Sequence, residues 1–304
     1  MLKHVGCIAF LGSTPYFFGD FMDKNIFTID SDCSGMTVKE YILGYLGYSV
    51  GVLKKLKYSG KITVNGKEVF VNHVLSCGET LELTYPEENS DSIEPVYHPL
   101  DILYEDENYL AVNKPSAMPV HPSLYHVSDT LANAVMYYYR DRSFTYRVLT
   151  RLDADTTGVV IIAKNMCAAS KFPSSGVEKK YLAICCGVPE ANNGIIDAPI
   201  GRIGDSIIKR EVRSDGKNSI TKYRLIKENN GKSLIGVVPV TGRTHQIRVH
   251  LSYIGCPLYA DYLYGTEIAG ERPRLHCESV VFTDPFTQIK REITAPLPED
   301  FFIR

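Results

Sequence analysis

Hydrophobic positions along the chain follow two periods, and the points where one gives way to the other divide it into segments. From Thr37 the apolar residues Tyr41, Ile42, Tyr45 and Leu46 fall at helical spacing, and Thr37 with Glu40 three residues on has the form of a capping box that would open the helix. A second helical stretch begins at Ser49, with Val52, Leu53 and Leu56 on its buried side and Lys54, Lys55 and Lys57 between them. The period then drops to two. Lys61-Ile62-Thr63-Val64 alternates as a strand, Asn65-Gly66 is a strong hairpin signal, Lys67 to Val71 returns, and a last strand runs from Thr80 to Tyr85 before Pro86. Residues 1–35 sustain neither period and remain an unassigned extension.

After Pro86 the chain reads Glu87-Glu88-Asn89-Ser90-Asp91-Ser92, acidic and aperiodic, which predicts a linker over 87–97 between a small domain at 36–86 and a large one at 98–304. In the large segment, strand-like runs recur at Tyr109–Val112, Gly158–Ala163, Tyr181–Cys186, Ile220–Leu225, Leu234–Val238 and Ser279–Phe282, with helical windows at 128–140, 166–172 and 245–254. More strands than helices, without regular alternation, predict an α+β fold with a mixed, largely antiparallel sheet, preceded by a small α/β domain.

Composition changes this picture in two places. The 304 residues carry 33 Lys and Arg against 35 Asp and Glu, so a polyanionic partner must meet a local basic patch. One exists: between 36 and 67, Lys39, Lys54, Lys55, Lys57, Lys61 and Lys67 face only Glu40. The eight cysteines contain no C-x-x-C pair and no zinc-like spacing, and several lie in apolar context, which predicts reduced thiols, no metal and a cytoplasmic location. The short apolar run Val5–Leu11, followed by Asp20, Asp23 and Asp30, argues against a signal peptide, and no window of 18 apolar residues predicts a membrane span.

Three polar clusters interrupt apolar surroundings. Thr150-Arg151-Leu152-Asp153-Ala154-Asp155-Thr156-Thr157-Gly158 runs into the strand Val159–Ala163; if extended, it projects Arg151, Asp153 and Asp155 to one side while Leu152 anchors the other. The bland reading is a surface loop with a local ion pair. In Thr241-Gly242-Arg243-Thr244-His245-Gln246-Ile247-Arg248-Val249-His250, Thr244 would cap a helix whose start gathers two arginines and two histidines, with no acid between 229 and 260. The alternative is a solvated helix face. Lys179-Lys180-Tyr181 places a tyrosine at a strand entrance, where core packing is the default.

Taken together and in this order, the clusters resemble the RluA-type family of pseudouridine synthases, whose hallmark H-R-L-D-x-x-T-S-G aligns with residues 150–158, whose K-x-Y element falls near Tyr181, and whose T-G-R-T-H-Q-I-R-V-H segment is matched at 241–250. Asn113-Lys114-Pro115, Ile254–Asp261 and Arg274-Leu275-His276-Cys277 are similar too, so the resemblance spans about 98–300, and residues 36–86 resemble the S4 RNA-binding domain. Thr150 stands where the family has histidine and Thr157 where it has serine, which bears on substrate positioning.

The resemblance implies that Asp153 is the catalytic aspartate, Tyr181 the active-site tyrosine and Arg248 the arginine that pairs the aspartate. Arg151, Arg243 and His245 would contact RNA, together with Lys54, Lys55, Lys57 and Lys61 of the S4-like segment. It also implies no cofactor or metal and a structured RNA substrate, ribosomal first and transfer RNA second; the sequence does not read the oligomeric state, for which a monomer is the default expectation. The reaction breaks the N1–C1′ bond of uridine, turns the uracil and joins C5 to C1′, Asp153 acting either as nucleophile or on a ribose proton, with Tyr181 packing the uracil and available as a general base. Two other readings remain open here: an N-glycoside hydrolase using Asp153 and Asp155 as paired carboxylates, and an RNA-binding chaperone without turnover.

Overall fold

A computed structural model of the chain describes residues 24–301 apart from 87–89, 91, 205 and 207. Most of the unassigned N-terminal extension, and part of the expected linker, therefore lie outside the described residues. The described residues form two compact units, one drawn from 24–38 and 54–86, the other from 39–53 and 90–301.

The smaller unit is a four-stranded antiparallel sheet in the order β1-β4-β2-β3, with β1 at Lys24–Thr28, β2 at Lys61–Val64, β3 at Lys67–Glu68 and β4 at Thr80–Thr84. Strand β1 falls within the stretch that the sequence left unassigned; its residues Lys-Asn-Ile-Phe-Thr bury no side chain deeply, so it carries no strong alternation, yet it pairs with β4 from Lys24↔Thr84 to Thr28↔Thr80. The Asn65-Gly66 hairpin has both residues left-handed, at φ 50° and 78°, the geometry that suits Asn-Gly between antiparallel strands. Leu56, Ile62, Val64, Leu75, Leu81 and Leu83 fill its core. The first predicted helix is shorter than expected: α1 (Val38–Glu40) widens at once into a π turn over Tyr41–Tyr45, while α2 (Val50–Tyr58) matches the second prediction closely.

The larger unit is built on a ten-stranded sheet. Its strands are β5 (Ile102–Glu105), β6 (Tyr109–Lys114), β7 (Arg147–Val148), β8 (Thr157–Ala163), β9 (Glu178–Cys186), β10 (Asn193–Asp197), β13 (Ile220–Asn229), β14 (Lys232–Pro239), β15 (Leu275–Thr283) and β16 (Lys290–Thr294); β11 (Ile200–Arg202) and β12 (Arg210–Val212) make a separate hairpin. The order is β10-β13-β14-β9-β15-β8-β6-β5, with β16 beside β15 and β7 beside β8. Among the described strands the β8/β15 pair is the one parallel pair, so the sheet is mixed and largely antiparallel, as the pattern of strand runs predicts. Val159 to Ala163 is buried on both faces, which is why β8 reads as an unbroken apolar run rather than an alternating one. The three helical windows become α3 (Leu131–Tyr138), α4 (Met166–Lys171) and α5 (Gln246–Tyr253). A reciprocal capping box joins Thr130 and Asn133 at the start of α3, and Asn165 caps α4.

The parallel contact positions the loop that precedes β8. Gly158 has φ +111°, and a Cβ there would fall on the Cys277 carbonyl, so glycine alone lets β15 approach so closely. One residue before it, the Thr157 hydroxyl lies 2.8 Å from Nδ1 of buried His276. Burial pulls the His276 imidazole down to about 4. In the unfolded chain the same ring takes a proton near pH 6.5, so stability is full above that pH and is lost as pH falls from about 6.5 toward 4. Urea unfolding at pH 5 is expected to show about 2 kcal/mol less stability than at pH 7.5 from His276 alone. Replacing His276 by glutamine should remove about that much of the difference.

Candidate active site

The site is assembled around the loop that leads from residue 150 into β8. Leu152 is buried beneath it, and the Thr150 hydroxyl accepts a hydrogen bond from the Ile161 amide at 2.9 Å, tying the loop entrance to the strand that the loop enters. Residues 154 and 155 turn, with Thr156 N donating to Asp153 O at 3.1 Å, so the segment is not the extended one expected from the sequence. As a result Asp153 and Asp155 part company. Asp153 lines the cleft, whereas the Asp155 carboxylate accepts a hydrogen bond from the Tyr262 hydroxyl at 2.9 Å and does not line it. The paired-carboxylate arrangement that a hydrolase reading required is thereby lost.

A buried ammonium holds the turn. Lys114, at the end of β6, has no exposed surface and donates to the carbonyls of Pro115 at 2.7 Å, Met118 at 2.8 Å and Ala154 at 2.7 Å. Three acceptors meet the three donors of an ammonium. Burial pulls Lys114 down to about 7, against the opposing pull of Asp155 and Asp153. Met118 N also donates to Ala154 O at 3.2 Å, and Arg272 Nη1 to Asp155 O at 3.2 Å.

Asp153 opens into a cleft of about 660 Å³. Tyr181 from β9 and Arg248 and His245 from the α5 region share its wall, and Arg151, Lys179 and Arg243 supply positive charge around it. The cleft thus brings together the six candidate residues that the sequence placed in the large segment. Lys54, Lys55, Lys57 and Lys61 belong to the other unit, on the exposed side of α2 and at the exposed start of β2.

Arg248 is the residue for which the sequence expectation needs most revision. Its side chain is 3% exposed, and its principal partner is Asp261, not Asp153: Nε reaches Asp261 Oδ2 at 2.9 Å and Nη2 reaches Oδ1 at 2.7 Å, while Nη1 lies 3.9 Å from Asp153 Oδ2. Asp261 is fully buried and also accepts the amides of Leu263 and Tyr264 at 3.0 and 3.2 Å. Burial works against the Arg248 charge, but the hydrogen bond and charge of Asp261, with Asp153 behind them, outweigh it and hold its pKa above the usual arginine value. The rings of Tyr264 and Tyr262 lie 5.2 and 5.4 Å from the guanidinium carbon.

The other members of the basic segment separate by role. His245, rather than Thr244, stands at the N-cap of α5, left-handed at φ 55°, with Nδ1 2.8 Å from the Tyr264 hydroxyl; burial lowers its pKa, which favours the neutral ring. Gln246 is buried and shapes the loop, accepting from Thr241 Oγ1 and Arg243 N and donating to Ile220 O and Thr221 Oγ1. His250 is a core residue, bonded to Thr221 Oγ1 and Ala198 O. Arg243 is exposed and donates to Asn218 O at 3.1 Å. Tyr181 is buried, and burial, reinforced by Cys277 and Asp153, holds its hydroxyl well above the usual pKa, so the ground state is a neutral phenol and a poor general base. Lys114 and Asp261 entered the sequence reading only as parts of the family-like segments 113–115 and 254–261, and Tyr262 not at all; none was given a role at the site. Their signal was a lysine or aspartate in apolar or aromatic company, which local charge counting passes over.

Among the described residues no group of three or more His, Cys, Asp or Glu could hold a metal, and no helix is long and apolar enough to cross a membrane. Cys33, Cys167, Cys185, Cys256 and Cys277 are buried and outside any disulfide, whereas Cys77 is exposed. A strand-rich α+β unit thus presents one carboxylate and one buried arginine to each other in a cleft ringed by Arg151, Lys179 and Arg243, the charge pattern suited to a polyanionic substrate.

Residues 108–253, a span that includes the Asp153 loop, β9 and α5, match the family model described as RNA pseudouridylate synthase. YjbO of Bacillus subtilis (strain 168), named as an uncharacterised RNA pseudouridine synthase, is 41% identical over 276 residues, covering 87% of this chain and 96% of that protein. The ribosomal large subunit pseudouridine synthase D of Pseudomonas aeruginosa is 35% identical over 263 residues, 80% of this chain and 82% of that one. Among solved structures, human RNA pseudouridylate synthase domain containing 1 is similar with a TM-score of 0.55 at 27% identity, covering 68% of this chain and 87% of its own. The chain belongs to the RNA pseudouridylate synthase family and is an RluA-type RNA pseudouridine synthase.

Replacing Asp261 by alanine strips a buried guanidinium of its main partner and is expected to cost about 3–5 kcal/mol of stability in urea unfolding. Replacing Asp153, whose side chain is 30% exposed, is expected to cost less than about 1 kcal/mol. Equal losses at the two positions would contradict the division of Arg248 between them.

Proposed function

We propose that the cleft isomerises uridines of structured ribosomal RNA, in the cytoplasm and as a monomer, with Asp153 as the reacting carboxylate. The observation that carries the reading is the Asp153 carboxylate presented into a basic cleft 3.9 Å from a guanidinium that is itself held by a second, buried carboxylate. The ribosomal part rests on relatives named for the large ribosomal subunit. As the N1–C1′ bond breaks, Asp153 either bonds to C1′, that bond breaking again when C5 takes its place, or removes a ribose proton that it returns once C5 is joined to C1′; in both cases the uracil turns, the C5 proton leaves and N1 gains one, so the product is an isomer and no water is consumed. Arg248 offsets the negative charge that shifts between Asp153 and the uracil, and its planar fork is already committed to Asp261, which fixes where Nη1 points. Tyr181, kept neutral, presents a ring face against which the uracil packs. Arg151, Lys179 and Arg243 meet the phosphates around a nucleotide that must leave its stack to reach Asp153.

The smaller unit acts as an S4-like RNA-binding module. Lys54, Lys55, Lys57 and Lys61 are exposed there within eight residues of chain. A truncation after residue 90 would also remove 39–53, which belong to the catalytic unit, so substitution is the cleaner test.

Asp153→Asn keeps shape and loses charge; nucleoside analysis of large-subunit ribosomal RNA transcripts treated with it should show pseudouridine formation reduced at least about a hundredfold, with RNA binding nearly unchanged. Arg248→Lys should restore only part of the activity lost in Arg248→Ala, because lysine cannot hold Asp261 at two points. Release of free uracil by the wild type would contradict isomerisation. Changing the four lysines to glutamine should weaken RNA binding and reduce its logarithmic salt slope by about 3; an unchanged slope would remove them from the RNA interface.

A further inference from the structure

The segment joining β6 to α3 carries two large side chains that the fold does not use. Ser123 and His126 exchange both backbone hydrogen bonds, at 2.9 and 3.1 Å, and close a turn with Leu124 and Tyr125 at its corner. These two are 82% and 88% exposed, among the most exposed large apolar residues described. A contiguous apolar pair held out at the tip of a tight turn is the kind of exposed patch that marks an interaction site.

The turn stands on a firm base. His126 Nδ1 lies 2.7 Å from Asp129 Oδ2, Asn133 Nδ2 donates to Val127 O at 2.9 Å, and Leu131 N to Pro119 O at 2.9 Å. On the other side, the Tyr146 hydroxyl donates to Val120 O at 3.0 Å. The tip is therefore held out from an anchored frame. Its location gives the occupant: Pro119, Val120, His121 and Ser123, the stem of the turn, line the same cleft as Asp153, and the charge there is that of Arg151, Lys179 and Arg243. What arrives at that rim is RNA, and drawing one nucleotide into the cleft leaves the neighbouring base without its stacking partner.

We infer that Leu124 and Tyr125 form a stacking finger that covers the nucleobase beside the extracted uridine; this rests on the reading of the cleft as the uridine site. Side chains of this kind serve as wedges between bases or as platforms beneath them, and a base stacked on an aromatic ring is worth about tenfold or more in affinity. Leu124 and Tyr125 are positioning residues, since neither reaches the reacting atoms.

The chain contains no tryptophan, so Tyr125→Trp introduces a single reporter at the tip. Titrated with unmodified large-subunit ribosomal RNA transcript, its fluorescence should be quenched and shielded from acrylamide. Leu124→Ala/Tyr125→Ala should raise the half-saturating RNA concentration at least about tenfold, a larger change than in turnover at saturation, with Tyr125→Phe close to wild type. Fluorescence unchanged while filter binding reports the complex, or an unaltered half-saturating concentration in the double variant, would overturn the finger. A wild type that binds the RNA but makes no pseudouridine, with Tyr125→Trp still quenched by it, would instead overturn the reading of the cleft and leave Leu124 and Tyr125 as an RNA contact, because the fluorescence needs no turnover.

Discussion

A guanidinium buried beside a carboxylate is the constraint on which the cleft depends. Removing Arg248 from water is expensive, and the expense is offset only because Asp261 meets it at two points while two backbone amides satisfy the rest of that carboxylate. Helix α5, the turn at 261–264 and the loop before β8 are consequently not independent choices. With Nε and Nη2 engaged, the remaining nitrogen faces Asp153, and a fixed positive charge is installed before any RNA arrives. Preorganised charge of this kind needs no rearrangement when electron density shifts during reaction.

The same economy governs the polar groups around it. Lys114 uses its charge on three carbonyls rather than on a partner acid, and Thr150 and Thr157, which depart from the family pattern, are spent on the Ile161 amide and the His276 ring. Neither threonine lines the cleft, so those two positions act on the frame behind Asp153.

What the sequence made legible depended on distance along the chain. Strands β6, β8, β9 and β14 and helices α3 to α5 announce themselves because each buries a local apolar run or carries its own cap. Strand β1 does not, since its place is decided by pairing with β4 more than fifty residues later. The cleft residues were readable as motifs, but their connections were not. The acid-free stretch from 229 to 260 ends one residue short of Asp261, and spacing alone puts Asp155 on one face with Asp153, whereas the turn at Ala154 sends it to Tyr262. The helix start at His245 likewise reflects a left-handed residue that no propensity favours. Lys114 was legible only as part of the family-like segment Asn113-Lys114-Pro115, and only the fold shows that it is enclosed and bonded to three carbonyls.

The clamping of the Ala154–Asp155 turn has a consequence for how the two partners share the work of meeting. Its carbonyls and carboxylate are gripped from β6, from Tyr262 and from Arg272, and the residues on either side are bonded to β8 and β15. Asp153 therefore has little freedom to approach its target. With Asp153 as the proposed reacting carboxylate, the compliance falls to the RNA, whose local bendability then becomes a criterion of choice: a uridine in a segment that distorts cheaply is favoured over the same base in a stiff helix, before any contact reads its identity.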